Sequence, residues 1–75
     1  MPRKIRQLKA DLRKAGFDWR PGKGSHTVWE HSLLPDNPVV LSGNDGDDAD
    51  RFHERNVRKA LLKLVEVEAS EEHGQ

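Results

Sequence analysis

The sequence contains no cysteine, so neither a disulfide bond nor a thiolate metal site can stabilise the fold. It also has no apolar run that approaches the roughly 20 residues needed to cross a membrane, and no apolar segment follows the charged N-terminus as it does in a secretory signal. These absences argue against a disulfide-stapled secreted domain and against an integral membrane protein. We therefore expect a soluble, cytoplasmic protein with no membrane partner.

A chain of 75 residues has room for one domain with a small hydrophobic core, because domains of this size bury only about 60% of the surface that their unfolded chains expose. Towards the C-terminus Glu alternates with Val and Ala, and the chain ends in Gly-Gln. We expect a single domain over residues 1–66, followed by a flexible acidic tail over residues 67–75.

Positive and negative side chains are equal in number, 13 of each, but they are segregated along the chain. Residues 1–31 carry eight Lys or Arg and three Asp or Glu, whereas residues 36–50 carry five Asp and no base. Residues 51–63 are basic again, and four Glu follow in residues 64–75. This alternation suits a cationic face that binds a polyanion, and it suits ordinary surface solubility equally well.

Two segments have the apolar spacing of amphipathic helices. The first helix is predicted over about residues 3–15, with Gly16 as its C-terminal cap. The second is predicted over about residues 51–65, with Asp50 as its N-terminal cap. The apolar positions that define these helices are Ile5, Leu8, Leu12 and Ala15 in the first, and Val57, Ala60, Leu61 and Leu64 in the second.

Three short segments between the helices are rich in residues typical of β-strands. They cover residues 17–20, 25–31 and 39–42, and the acidic segment 43–48 after them is expected to be a flexible loop. This order predicts a two-layer α+β domain, α-β-β-β-α. Two helices would then cover one face of a three-stranded antiparallel sheet and leave the other face free.

The turn between the first two strands combines a cation, a hydroxyl and an imidazole with two glycines, in the order Gly22, Lys23, Gly24, Ser25, His26. The glycines let the backbone approach a ligand closely. We expect the first four residues to bind a phosphate and His26 to lie at the mouth of the second strand. Because a strand follows, the turn is not a Walker phosphate loop, and the spacing of acids and histidines elsewhere predicts no metal site.

Two motifs at this spacing resemble the HicA family of bacterial mRNA interferase toxins. They are Leu12-Arg13-Lys14-Ala15-Gly16-Phe17 and Lys23-Gly24-Ser25-His26, the second followed by an apolar strand. The likeness covers about residues 5–65. It implies a fold similar to double-stranded RNA-binding domains, a catalytic role for His26, and a HicB-like antitoxin that covers the active surface. The acidic segment 44–50 and the longer last helix depart from the commonest pattern of that family.

The reaction expected from this pattern is cleavage of mRNA by a metal-independent endoribonuclease that needs no cofactor. A histidine can take the proton from an RNA 2′-hydroxyl, which then attacks the adjacent phosphorus. Further RNA contacts are expected from basic side chains on the first strand and the second helix, namely Arg20, Arg55, Lys59 and Lys63. The alternative is a non-catalytic RNA-binding module that uses the same cationic face.

The remaining histidines and the two tryptophans have less definite roles. His31 and His53 are expected to be structural or solvent-facing, with a second proton-carrying role left open for His31. Trp19 and Trp29 are candidates for stacking on RNA bases. In so small a domain, at least one of the two tryptophans is expected to lie in the core.

Overall fold

A three-stranded antiparallel sheet lies between two helices in the sequence, as predicted. The computed structural model describes the backbone of residues 3–73 and the side chains of residues 3–70. The elements are α1 (Ile5–Lys14), β1 (Asp18–Pro21), β2 (Thr27–Glu30), β3 (Val39–Leu41) and α2 (Arg51–His73). The α+β class and the element order α-β-β-β-α are confirmed. No helix within residues 3–73 is long and apolar enough to span a membrane.

The sheet has the order β1-β2-β3, with Trp29 at its centre. Trp29 is opposite Trp19 on β1 and opposite Val39 on β3. Paired residues of antiparallel strands point to the same face of the sheet, so these three side chains form one row facing the helices. The neighbouring Val40 points the other way and is 44% exposed.

Both helices pack on the face of the sheet that carries Trp29, and they share one hydrophobic core with it. Trp29 is fully buried, and its indole N–H donates to Thr27 Oγ1 at 2.8 Å. Its partner Trp19 is 48% exposed and stacks on Trp29 with ring centroids 6.0 Å apart. The expectation that one tryptophan belongs to the core is therefore confirmed for Trp29. The other buried apolar residues are Ile5, Leu8, Leu12, Phe17, Leu34, Val39, Leu41, Ala49, Val57, Ala60 and Leu64.

The C-terminus of α1 is closed by Gly16, as the sequence predicted. Gly16 has a φ of 94°, and its N–H donates to Arg13 O at 3.0 Å. Phe17 N–H donates to Leu12 O at 3.0 Å, and both of these side chains are buried. This is the Schellman arrangement, in which the residue after the glycine also packs on the last turn of the helix. It explains why β1 begins at Asp18, one residue later than predicted.

The acidic segment between β3 and α2 is not the unattached loop that its composition suggested. It lies against the N-terminus of α1, where Ile5 N–H donates to Asp47 O at 2.9 Å and Arg6 N–H donates to Asp45 O at 3.1 Å. The first N–H groups of a helix have no partner within it, so these carbonyls supply what the helix lacks. A 2.5 Å ion pair between Lys4 and Asp48 reinforces the contact.

Helix α2 is longer than predicted. It runs to His73 rather than ending near Val65, so the segment expected to be a flexible acidic tail is helical as far as His73. Glu and Ala are strong helix formers, and Val67 packs against the core from this last part of the helix. Residues 74–75 of the expected tail lie outside the described part of the chain.

We expect the two stacked tryptophans to differ sharply in their contribution to stability. Replacing Trp29 with Ala would remove the centre of the core and lower the free energy of unfolding by about 3–5 kcal/mol. Replacing the half-exposed Trp19 with Ala would cost less, about 1–3 kcal/mol, because only about half of its surface is buried and the aromatic pair adds to that. Urea denaturation followed by circular dichroism measures both variants. Equal losses would contradict the assigned burial.

Candidate active site at the β1–β2 turn

The predicted glycine turn forms and positions His26 immediately before β2. Gly22 N–H donates to His26 O at 2.8 Å, and His26 N–H donates to Lys23 O at 2.9 Å. Gly24 has a φ of 58°, a conformation that residues with a side chain rarely adopt. The need for glycine at position 22 is different. A Cβ there would lie 3.3 Å from His26 Cβ, a tight contact that would require His26 to move by a few tenths of an ångström.

The imidazole of His26 is oriented by the carbonyl of Lys23. His26 Nδ1 lies 2.8 Å from Lys23 O, and a carbonyl oxygen only accepts hydrogen bonds. Nδ1 therefore carries the hydrogen, and Nε2 of the neutral ring is left as an acceptor. The side chain is exposed. His26 is thus arranged to accept a proton from a bound molecule.

Ser25 and its neighbours connect the turn to the end of β3. Ser25 Oγ accepts from Gly43 N–H at 3.1 Å, so this hydroxyl links two loops and does not orient the imidazole. Within residues 3–73, the N–H groups of Gly24 and Ser25 have no acceptor, whereas that of Gly22 is bound to His26 O. Lys23 is exposed beside them. An anion at the turn would therefore meet two N–H groups and one ammonium.

The pocket around His26 includes a part of the chain that the sequence interpretation did not connect with it. Its volume is about 380 Å³ and it opens to solvent. The register pairs Thr27 with Leu41, which brings the segment after β3 alongside the turn. The residues that line the pocket are Lys9, Pro21, Gly24, Ser25, His26, Thr27, Gly43, Asn44 and Asp45.

Lys9 and Asp45 form an ion pair at the rim of this pocket. The distance from Lys9 Nζ to Asp45 Oδ1 is 2.6 Å, and the Lys9 side chain is only 17% exposed. The hydrogen bond and the charge of Lys9 lower the pKa of Asp45, and Arg13 and Arg6 act in the same direction. This wall of the pocket is therefore close to neutral, and Lys23 lies next to the pocket in the sequence without lining it.

The basic residues predicted to touch RNA, Lys23 included, are not among the residues that line the His26 pocket. Arg20 pairs with Glu30 at 3.2 Å across β1 and β2. Arg55 lies in a surface hollow with two further arginines, Arg51 and Arg58, and one acid, Glu54. Lys59 and Lys63 border a separate hollow beside the loop of residues 36–38, which precedes β3. A contact between these residues and RNA thus requires a ligand that extends beyond the pocket.

His31 makes structural contacts, which is one of the roles expected from the sequence. Its Nδ1 accepts from Leu33 N–H at 3.0 Å, and its ring packs edge-on against Phe17 with centroids 5.2 Å apart. It follows the far end of β2, five residues from His26. At about 3.3 Å per residue the two histidines are about 16 Å apart, so His31 cannot share a proton-transfer step with His26.

Comparison with known proteins identifies no relative, since no protein-family model, curated protein or solved structure matches the chain. The resemblance to the HicA family consequently rests on the two motifs quoted above, which end at Phe17 and His26. The function of the pocket has to be inferred from its own geometry.

We expect Gly22→Ala to displace His26, because the new Cβ would press on His26 Cβ from 3.3 Å. The matched control is Gly46→Ala, where a Cβ meets no atom within 4 Å. NMR spectra of the His26 ring should change in the first variant and stay as in the wild type in the second. Unchanged His26 signals in Gly22→Ala would contradict the close approach of Gly22 to His26.

The Lys9–Asp45 pair should stabilise the fold in a pH-dependent way. Because the folded-state pKa of Asp45 is lowered, its contribution is present above the unfolded value of about 3.9 and is lost as pH falls through the folded value. Urea midpoints of the wild type and Asp45→Asn should differ at pH 7 in low salt and converge in acid, once the Asp45 carboxyl is protonated in the folded protein. Asp36→Asn is the control and should follow the wild type. A gap that persists in acid would contradict the pairing.

Proposed function

We propose that the chain is a metal-independent endoribonuclease that cleaves mRNA through His26. The observation that carries this proposal is the 2.8 Å contact between His26 Nδ1 and Lys23 O, which leaves Nε2 as a proton acceptor on an exposed side chain. The resemblance of the turn to the HicA motif supports the same role. No cofactor is needed for this reaction.

The reaction uses a nucleophile that RNA itself supplies. His26 Nε2 takes the proton of a 2′-hydroxyl, and the resulting oxygen attacks the adjacent phosphorus. Transfer of a proton by a positioned side chain typically contributes about 10²- to 10⁴-fold in rate. DNA lacks the 2′-hydroxyl, so the same site would leave it intact.

The turn that holds His26 offers groups for the phosphate as well. The N–H groups of Gly24 and Ser25 have no acceptor within residues 3–73, and Lys23 is exposed next to them. Successive backbone N–H groups in a turn form a concave site for anions. These groups lie beside His26, so one phosphate can contact them while His26 acts on the neighbouring 2′-hydroxyl. They would then stabilise the negative charge that develops on the phosphate oxygens.

In this proposal the protein is the toxin of a type II toxin–antitoxin pair that acts in the cytoplasm. The support for this part is the HicA resemblance together with the exposure of Lys23 and His26. A HicB-like antitoxin that covers the turn would block access of RNA to His26. The control of activity would then be steric, without any change in the histidine itself.

The alternative function is a non-catalytic RNA-binding module. It is favoured by the hollow on α2 where Arg51, Arg55 and Arg58 lie together, away from His26. Arginines in such a cluster can neutralise phosphates, and binding of this kind is independent of sequence and sensitive to salt. It needs no histidine.

The test is cleavage of a reporter mRNA by purified wild-type protein, His26→Ala and His31→Gln, with a metal chelator present throughout. We expect wild type and His31→Gln to cleave, and His26→Ala to be slower by about 10²- to 10⁴-fold. Circular dichroism verifies that each variant is folded. Induced expression of the same three chains in a bacterium should arrest growth except with His26→Ala.

Two results would reject the proposal. Cleavage by His26→Ala at the wild-type rate would remove His26 from the reaction. RNA binding without cleavage by the wild type, retained in His26→Ala and weakened by salt, would identify the binding module instead.

A further inference from the structure

The outer face of α2 carries apolar side chains that the folded chain leaves uncovered. Leu62 is 59% exposed and Val65 is 60% exposed, although a helix that packs on a core usually turns polar side chains outward. Both residues border a groove of about 270 Å³ between α1 and α2, whose lining includes the buried Leu8 and Val57. The groove and the outer face of α2 therefore form one apolar surface that is open to solvent.

The exposed apolar residues of α2 have the spacing of a helix–helix seam. Leu62, Val65 and Ala69 follow one another at steps of three and four residues, and all three are exposed. Arg58 lies four residues before Leu62 and is exposed as well, so its aliphatic stem continues the row. Alternating steps of three and four residues are the repeat by which two helices pack side by side. The row predicts that a second helix packs along α2.

The charges beside this seam distinguish between the possible orientations of a second helix. In the described part of α2, the exposed charges before Leu62 are all basic and those after Val65 are all acidic. Lys59 and Glu66 lie on the same side of the seam, and within residues 3–70 neither has an ion-pair partner. A parallel copy of α2 would place like charges together, whereas an antiparallel copy places basic residues against acidic ones.

We propose that the chain forms a symmetric dimer in which α2 packs antiparallel to α2 of a second copy. Leu62 then packs against the partner's Val65. In this register Lys59 and the partner's Glu66 lie within about 3 Å of each other along the helix axis, because an α-helix rises 1.5 Å per residue. A two-fold axis makes every contact twice, so the seam contains two apolar layers flanked by two ion pairs.

This dimer surface is separate from the His26 pocket, and the inference does not rest on the proposed ribonuclease function. The groove beside Leu62 and the pocket around His26 have no lining residue in common. An interface formed by one pair of helices is small for a protein–protein contact, and small interfaces are typical of weak association. We therefore expect a dimer that dissociates on dilution.

The first test is analytical ultracentrifugation of the wild type, Leu62→Glu and Val40→Glu over a dilution series. Leu62→Glu would bring two carboxylates into the apolar layers, and we expect it to raise the dissociation constant of the dimer by about tenfold or more. The matched control is Val40→Glu, since Val40 is 44% exposed on the free face of the sheet. It should dimerise as the wild type does. Circular dichroism verifies that each variant is folded.

The second test exchanges the charges that flank the seam, at low salt. Lys59→Glu alone would set Glu against Glu, and Glu66→Lys alone would set Lys against Lys. Each variant should therefore dimerise about tenfold more weakly than the wild type. An equal mixture of the two variants restores both pairs of opposite charge, so it should form a heterodimer with about the affinity of the wild-type dimer.

Three results would overturn the proposal. The first is a wild type that stays monomeric at the concentrations used for NMR spectroscopy, which would leave this surface to a different partner. The second is dimerisation that is lost in Val40→Glu and kept in Leu62→Glu, which would place the contact on the sheet. The third is a mixture of the charge variants that associates no better than either variant alone, which would exclude the antiparallel orientation. None of the three bears on cleavage of RNA by His26.

Discussion

The contact between the β3–α2 segment and the first turn of α1 is the constraint on which the rest of the structure depends. Ile5 N–H and Arg6 N–H donate to the carbonyls of Asp47 and Asp45. The helix itself contains no acceptors for these two groups, and a helix this short has little stability alone. In the same segment, Gly43 N–H donates to Ser25 Oγ at the β1–β2 turn. One stretch of chain therefore completes the first helix and also forms one wall of the pocket around His26.

Much of the fold follows from local sequence rules. The helical spacing that begins at Ile5, the glycine cap at Gly16 and the cap at Asp50 each depend on neighbouring residues, and each was predicted. The two errors have a common cause. The end of α2 and the attachment of the acidic segment depend on packing of Val67 and on pairing of Lys9 with Asp45, and these are contacts between distant parts of the chain.

The candidate site was likewise predictable only where it depends on neighbouring residues. The turn and the placement of His26 were readable from residues 22–26, because glycines and a following strand determine a hairpin locally. Asn44 and Asp45 were not associated with it, since only the register of β3 brings them there. Arg55, Lys59 and Lys63 were expected to contact the RNA that is bound at this site. Helical spacing shows that such residues share a face and does not show what that face adjoins.

The link between α1 and the segment after β3 also determines when the site can exist during synthesis. Residues 22–26 leave the ribosome early, but the carbonyls that complete α1 and the Gly43 N–H that binds Ser25 follow only about twenty residues later. A short helix without its partners has little stability of its own. A nascent or truncated chain therefore carries the whole motif without the pocket wall that residues 43–45 supply. The pocket around His26 is thus incomplete until residues 43–45 have been synthesised.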